Sequence, residues 1–203
     1  MAFHTTPRLR HFLVWAAIVL AIAVPLAFAA TSPLLAWRGP AYIVAGLAGV
    51  IAMAVLLLQP LLAGGYLPGV SVQRGRLLHR RAGVVLVVAV LVHVIGLWIT
   101  SPPDVVDALT FTSPTPFSAW GVVALWAVFL SAALAVLRRR LRPPVWRGIH
   151  LGLAAVIVAG SVVHALLIEG TMETVSKALL CALIVAATVG LLAHRRLRAR
   201  RQV

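Results

Sequence analysis

Four histidines sit inside otherwise apolar sequence, and their spacing repeats. His79 and His93 lie fourteen residues apart in one apolar stretch, and His150 and His164 lie fourteen apart in another. At 3.6 residues per turn, fourteen residues make nearly four turns, so the two members of each pair face the same way about 21 Å apart along the axis. An ionisable side chain at membrane depth signals function by default. His4, His11 and His194 fall at the ends of apolar stretches and read as interfacial polar groups. Cys181 is the single cysteine. It excludes a disulfide within the chain and a cysteine-based zinc or iron–sulfur centre, and it reads as a small buried hydrophobe.

The elements that must position these histidines follow from composition. The 203 residues are 62% hydrophobic and 11% charged, with a mean hydropathy of +1.05. Soluble domains carry about 25% charged residues, so a water-soluble globule and a disordered tail are both excluded. Six stretches approach the roughly 20 residues needed to cross the hydrocarbon core. They run over 12–30, 41–62, 77–99, 117–138, 146–168 and 173–193. Proline and glycine punctuate them, at Arg38-Gly39-Pro40, Gly64-Gly65, Ser101-Pro102-Pro103, Pro114 with Pro116, and Pro143-Pro144.

The net charge of +14 would suit a nucleic-acid binder only if it lined one folded face. Instead, sixteen of the eighteen basic residues flank the spans on one side. They form groups around Arg8, Arg74 to Arg81, Arg138 to Arg147, and Arg195 to Arg201. Arg38 and Lys177 lie on the other side with all four acids, Asp104, Asp107, Glu169 and Glu173. The positive-inside rule then puts both termini in the cytoplasm. The expected protein is all-α, a polytopic six-helix bundle of the cell membrane. Residues 1–11 form a cytoplasmic segment, 12–194 the membrane domain and 195–203 a basic cytoplasmic tail. A competing reading takes the first span, ending near Ala27-Phe28-Ala29, as a cleaved signal sequence.

On this topology spans three and five run in the same direction. His79 can then meet His150, and His93 can meet His164. Two opposed imidazoles suit the axial positions of a haem iron. They make a poor zinc site, which wants four ligands. A proton relay is a further option, although relays normally include membrane carboxylates, and spans three and five contain none. The expectation is two bis-histidine haems between helices three and five. Gly83, Gly96, Gly152 and Gly160 accompany the histidines, either to admit a flat macrocycle or to aid helix packing. No phosphate loop or dinucleotide fingerprint is present, so FAD or FMN is expected only on a partner protein.

Leu78-His79-Arg80-Arg81-Ala82-Gly83 with His93, and Trp146-Arg147-Gly148-Ile149-His150 with His164, resemble helices three and five of the ferric reductase-like transmembrane family. The resemblance covers about 40–195. That family includes ferric-chelate reductases, NADPH oxidases and the haem subunit of methionine sulfoxide reductase. It implies two haem b groups, with His79, His93, His150 and His164 as the iron ligands. Ferric reductases and NADPH oxidases usually carry a flavin domain after the membrane part, and here that domain is expected on a separate partner. The sulfoxide reductase subunit typically has another residue where His79 stands.

Arg80, Arg81 and Arg147 flank the cytoplasmic pair and are candidate partners for haem propionates. Arg38 or Lys177 would serve the outer haem. Trp98, Trp120 and Trp146 fit an interfacial aromatic belt, and Trp126 lies deeper. The 101–116 segment reads as a solvated connector whose Asp104 and Asp107 could attract a ferric ion. The expected function is electron transfer across the membrane, from a cytoplasmic flavoprotein reductase or a quinol to an extracytoplasmic acceptor such as ferric iron. One alternative is the haem subunit of a two-component periplasmic oxidoreductase, with an extracytoplasmic redox partner. The other is a metal transporter using the histidines directly. Membrane lipid is the expected surround, and no nucleic-acid partner is expected.

Overall fold

The structure, a computed structural model, describes residues 6–200. His4 and Arg201 lie outside them, as do the outermost parts of the two expected terminal segments. Seven α-helices follow in order: α1 (Pro7–Ala30), α2 (Pro40–Gly64), α3 (Val72–Thr100), α4 (Pro102–Leu109), α5 (Pro116–Leu137), α6 (Pro143–Leu167) and α7 (Thr174–Arg200). No strand occurs among the described residues. Pro7, Pro40, Pro102, Pro116 and Pro143 each open a helix, where the N–H that proline lacks would have no intrahelical partner. Ser71 caps α3 by accepting from the Arg74 N–H at 3.3 Å. α2 ends at Gly65, whose φ of 67° is a left-handed value that glycine adopts without strain.

All helices except α4 are long and apolar enough to cross a membrane, six in all. The expected spans are therefore present, with shifted ends. α3 starts at Val72, a turn and more before the expected boundary, and α7 continues to Arg200 through the start of the basic tail. The 101–116 segment is not a plain connector, because it contains α4. Its cause is local: Ser101 Oγ donates to Asp104 Oδ2 at 2.6 Å, and Pro102 and Asp104 occupy the first turn, where proline and a negative charge both favour helix.

The packing forms two helical hairpins. α2 lies along α3, and α5 lies along α6. α7 packs against α2 and α6, and α1 flanks α2 and α7. α3 and α6, the two histidine-bearing helices, stand apart from each other. The core joins Met53, Leu56 and Leu57 of α2 to Val128 of α5 and to Leu180, Cys181 and Ile184 of α7. Cys181 is thus a core side chain, as expected. α2 is the central helix: 44% of its apolar window is buried, against 17% for α3 and 11% for α1. Side chains such as Val84 and Leu130 point outward, as lipid-facing residues do.

Two of the four glycines expected near the histidines are packing residues. A Cβ on Gly96 would stand 2.7 Å from the Ala45 Cβ and 3.0 Å from the Ala41 carbonyl oxygen. A Cβ on Gly160 would stand 2.9 Å from the Trp120 carbonyl oxygen. Both let the paired backbones approach closely. Gly160→Ala should destabilise the protein by about 1–3 kcal/mol, since helix backbone must move to admit the methyl. Gly190→Ala, with nothing within 4 Å, should be neutral or stabilising by about 0.5–1 kcal/mol. Thermal unfolding in one detergent would compare them.

Candidate functional site

All four membrane histidines are partly buried, and each has a hydrogen-bonding partner on the neighbouring helix of its own hairpin. In the first hairpin, His79 Nδ1 lies 3.2 Å from the Gln59 carbonyl oxygen and His93 Nδ1 lies 2.8 Å from that of Ala45. In the second, His164 Nδ1 lies 2.9 Å from the Phe117 carbonyl oxygen and His150 Nδ1 lies 3.2 Å from Ser131 Oγ. A carbonyl can only accept, so Nδ1 carries the hydrogen in His79, His93 and His164 and donates it. The lone pair is left on Nε2, the nitrogen then free to bind a metal. Ligating histidines are held in this way by a carbonyl or carboxylate behind the ring. Ser131 can donate or accept, so His150 alone has a partner that does not fix its tautomer.

These contacts share one register. Ala45 and Gln59 are fourteen residues apart, as are His79 and His93, so an antiparallel hairpin matches acceptor to donor at both depths. Phe117 and Ser131 are likewise fourteen apart, opposite His164 and His150. Glycine completes the two deeper contacts. A Cβ on Gly49 would lie 3.0 Å from His93 Nδ1, and a Cβ on Gly121 would lie 2.7 Å from His164 Nδ1. Each glycine stands four residues after the carbonyl that accepts the bond. The pairs Ala45 with Gly49 and Phe117 with Gly121 therefore form equivalent notches. Sequence reasoning missed them, although shifting the first hairpin by seventy-two residues superposes glycine on glycine.

Between α3 and α6, the His79 and His150 rings meet edge-on, with centroids 6.2 Å apart and planes 89° apart. Two metal–imidazole bonds of about 2 Å each, plus about 1 Å from each nitrogen to its ring centre, span about 6 Å, so this separation leaves room for one metal ion between the two imidazoles. Among the described residues no three His, Cys, Asp or Glu side chains gather into one metal-binding group. The donors at this gap are imidazoles.

The surrounding residues differ from expectation in several places. Trp146, in the first turn of α6, also stacks its indole on the His150 ring, centroids 5.3 Å apart and planes 6° apart. One helical turn separates the two, so the indole backs the imidazole face. Arg80 and Arg81 are exposed, and Arg147 Nε donates to the Pro143 carbonyl oxygen at 3.1 Å. On the opposite face, Arg38 stacks over the Tyr42 ring at 4.7 Å, and Lys177 Nζ donates to the Ile168 carbonyl oxygen at 2.8 Å beyond the end of α6. Both cations expected near the outer pair are thus engaged elsewhere. Asp107 accepts from Thr112 Oγ1 at 3.3 Å, so with Asp104 it serves local turn structure. Trp126 is half exposed and meets Phe129 edge-on.

A cavity of about 530 Å³ opens on that face between the end of α1 and the start of α7. Glu173 lines it and accepts from the Val175 and Ser176 N–H groups, both at 2.7 Å. The Ser176 and Val175 hydrogen bonds hold its carboxyl below the ordinary carboxylate range.

Residues 45–161 match the family described as ferric reductase like transmembrane component. The matched span begins at the carbonyl that holds His93, contains His79, His93 and His150, and stops short of His164. No curated protein and no solved structure matches the chain.

Two outcomes follow. Gly121→Val should push the His164 ring off the Phe117 carbonyl, and nitrogen NMR of histidine-labelled protein should show that Nδ1–H losing its bonded shift. The lowered Glu173 value means its contribution to stability is complete above the ordinary glutamate value of 4.5 and is lost as pH falls through the lowered one. Glu173→Gln should therefore flatten the acid limb of the stability profile below that value and destabilise the protein at neutral pH.

Proposed function

The chain belongs to the ferric reductase-like transmembrane component family, and on that premise we propose that it is a di-haem b component carrying electrons across the membrane. His79 with His150 and His93 with His164 would hold the two haem irons. The observation that carries this reading is the common state of the histidines. Each is held through Nδ1 by the adjacent helix, and α3 and α6 stand apart with room for one metal ion between the inner rings.

The chain's own residues do three things in this scheme. The carbonyls of Gln59, Ala45 and Phe117 fix the tautomer and raise the basicity of the nitrogen opposite. Trp146 backs the face of the His150 ring. The apolar walls of α2, α5 and α7 exclude water and lower the dielectric around the ligands, a lever on redox potential. Bound haem supplies one-electron redox chemistry. Arg80, Arg81 and Arg147 would meet the propionates on the basic face.

The arginine-rich face is the cytoplasmic one in this reading, with the protein in the plasma membrane. The donor is a flavoprotein carrying FAD or FMN, or a membrane quinol. The acceptor lies on the opposite face and is a ferric chelate or an extracytoplasmic redox protein.

A reduced-minus-oxidised spectrum with haem quantification should give a b-type signal and two haems per chain. His93→Ala and His164→Ala should each leave one haem. Purified, folded protein that takes up no haem would overturn the reading.

A further inference from the structure

We propose that the arginine turn between α5 and α6 forms an oxyanion site at the edge of the inner histidine pair, which deepens the di-haem reading by giving that pair an anionic neighbour. Arg138 to Arg140 make a single turn of 3-10 helix. With Pro143 and Trp146, Arg138 and Arg139 bound a cavity of about 340 Å³. Every acidic side chain of the chain belongs to the 104–107 or 169–173 segment at the opposite ends of the spans. No acidic side chain therefore offsets the turn's positive charge on its own face, which favours an external anion there.

The fourth wall gives the cavity its link to the histidines. Trp146 lines it and also stacks face to face on His150. Its Nε1 is a buried donor with no acceptor among the described residues. Two guanidinium forks and an unpaired indole N–H are suited to carboxylate or phosphate oxygens, which accept several charge-assisted bonds at once. The same oxyanion chemistry has two sources at this depth, a propionate of a haem held by His79 and His150, or the phosphate of a membrane lipid. In either case the anion sits one indole away from an iron-ligand ring. This cavity then adds Arg138 and Arg139 to Arg80, Arg81 and Arg147 as anion-binding residues of the basic face.

The test uses the full chain in nanodiscs, one set of phosphatidylcholine alone and one containing phosphatidylglycerol. Variants are Arg138→Gln with Arg139→Gln, and Trp146→Phe, which keeps an aromatic stack but removes the N–H. Haem transfer to an apomyoglobin scavenger and lipids retained in native mass spectrometry are measured. If the oxyanion is a propionate, the double variant releases haem about tenfold faster or more in both bilayers, as expected for a lost charge-assisted bond, and Trp146→Phe moves the same way. If it is a lipid phosphate, the double variant loses a retained phosphatidylglycerol while haem release is unchanged in phosphatidylcholine. Unchanged haem release together with unchanged lipid retention overturns the site. A preparation without haem would sink the di-haem reading alone, since lipid retention still decides the anion site.

Discussion

An imidazole N–H inside hydrocarbon has no water to bond, and leaving it unpaired costs several kcal/mol. The chain meets that constraint by presenting a carbonyl or hydroxyl from the adjacent helix to each of four rings. Much else depends on this contact. It fixes which nitrogen bears the hydrogen at three positions, and so which lone pair faces the gap. It sets the register of both hairpins, because two contacts fourteen residues apart cannot both form after a one-residue slip. For His93 and His164 it also brings the ring close to a helix backbone, where Gly49 and Gly121 leave room by lacking a side chain. A Cβ at either position would collide with the imidazole before the hydrogen bond closed.

The spans were legible because proline marks their starts and hydropathy their interiors. The meeting of His79 with His150 was legible because fourteen residues keep one face of a helix and a common direction for spans three and five brings those two rings to the same end. The acceptors behind the rings were not legible. Ala45 and Phe117 act through backbone carbonyls, which every residue possesses and no side chain advertises. The stack of Trp146 on His150 was not legible for a different reason: a tryptophan at a helix end reads as interfacial, and the stack depends on rotamers that spacing does not specify. The start of α4 carried a readable signal in Ser101-Pro102-Pro103-Asp104, outweighed by the brevity of the segment.

The two faces of the bundle handle charge in opposite ways. At the far face, polar groups are consumed locally: Glu173 opens α7, Asp104 opens α4, Lys177 holds a carbonyl beyond α6, and Arg38 rests on Tyr42. At the arginine face the guanidiniums of Arg138 and Arg139 line open space instead. The chain thus presents one electrostatically closed end and one open end, and attraction of anionic species is confined to the open one.

The shared register of the two hairpins makes the bundle an internal repeat. Acceptors shift by seventy-two residues and histidines by seventy-one, and a glycine notch recurs at the same offset. The repeat is imperfect behind His150, where a serine hydroxyl replaces a backbone carbonyl, so the two halves hold their rings with unequal stringency.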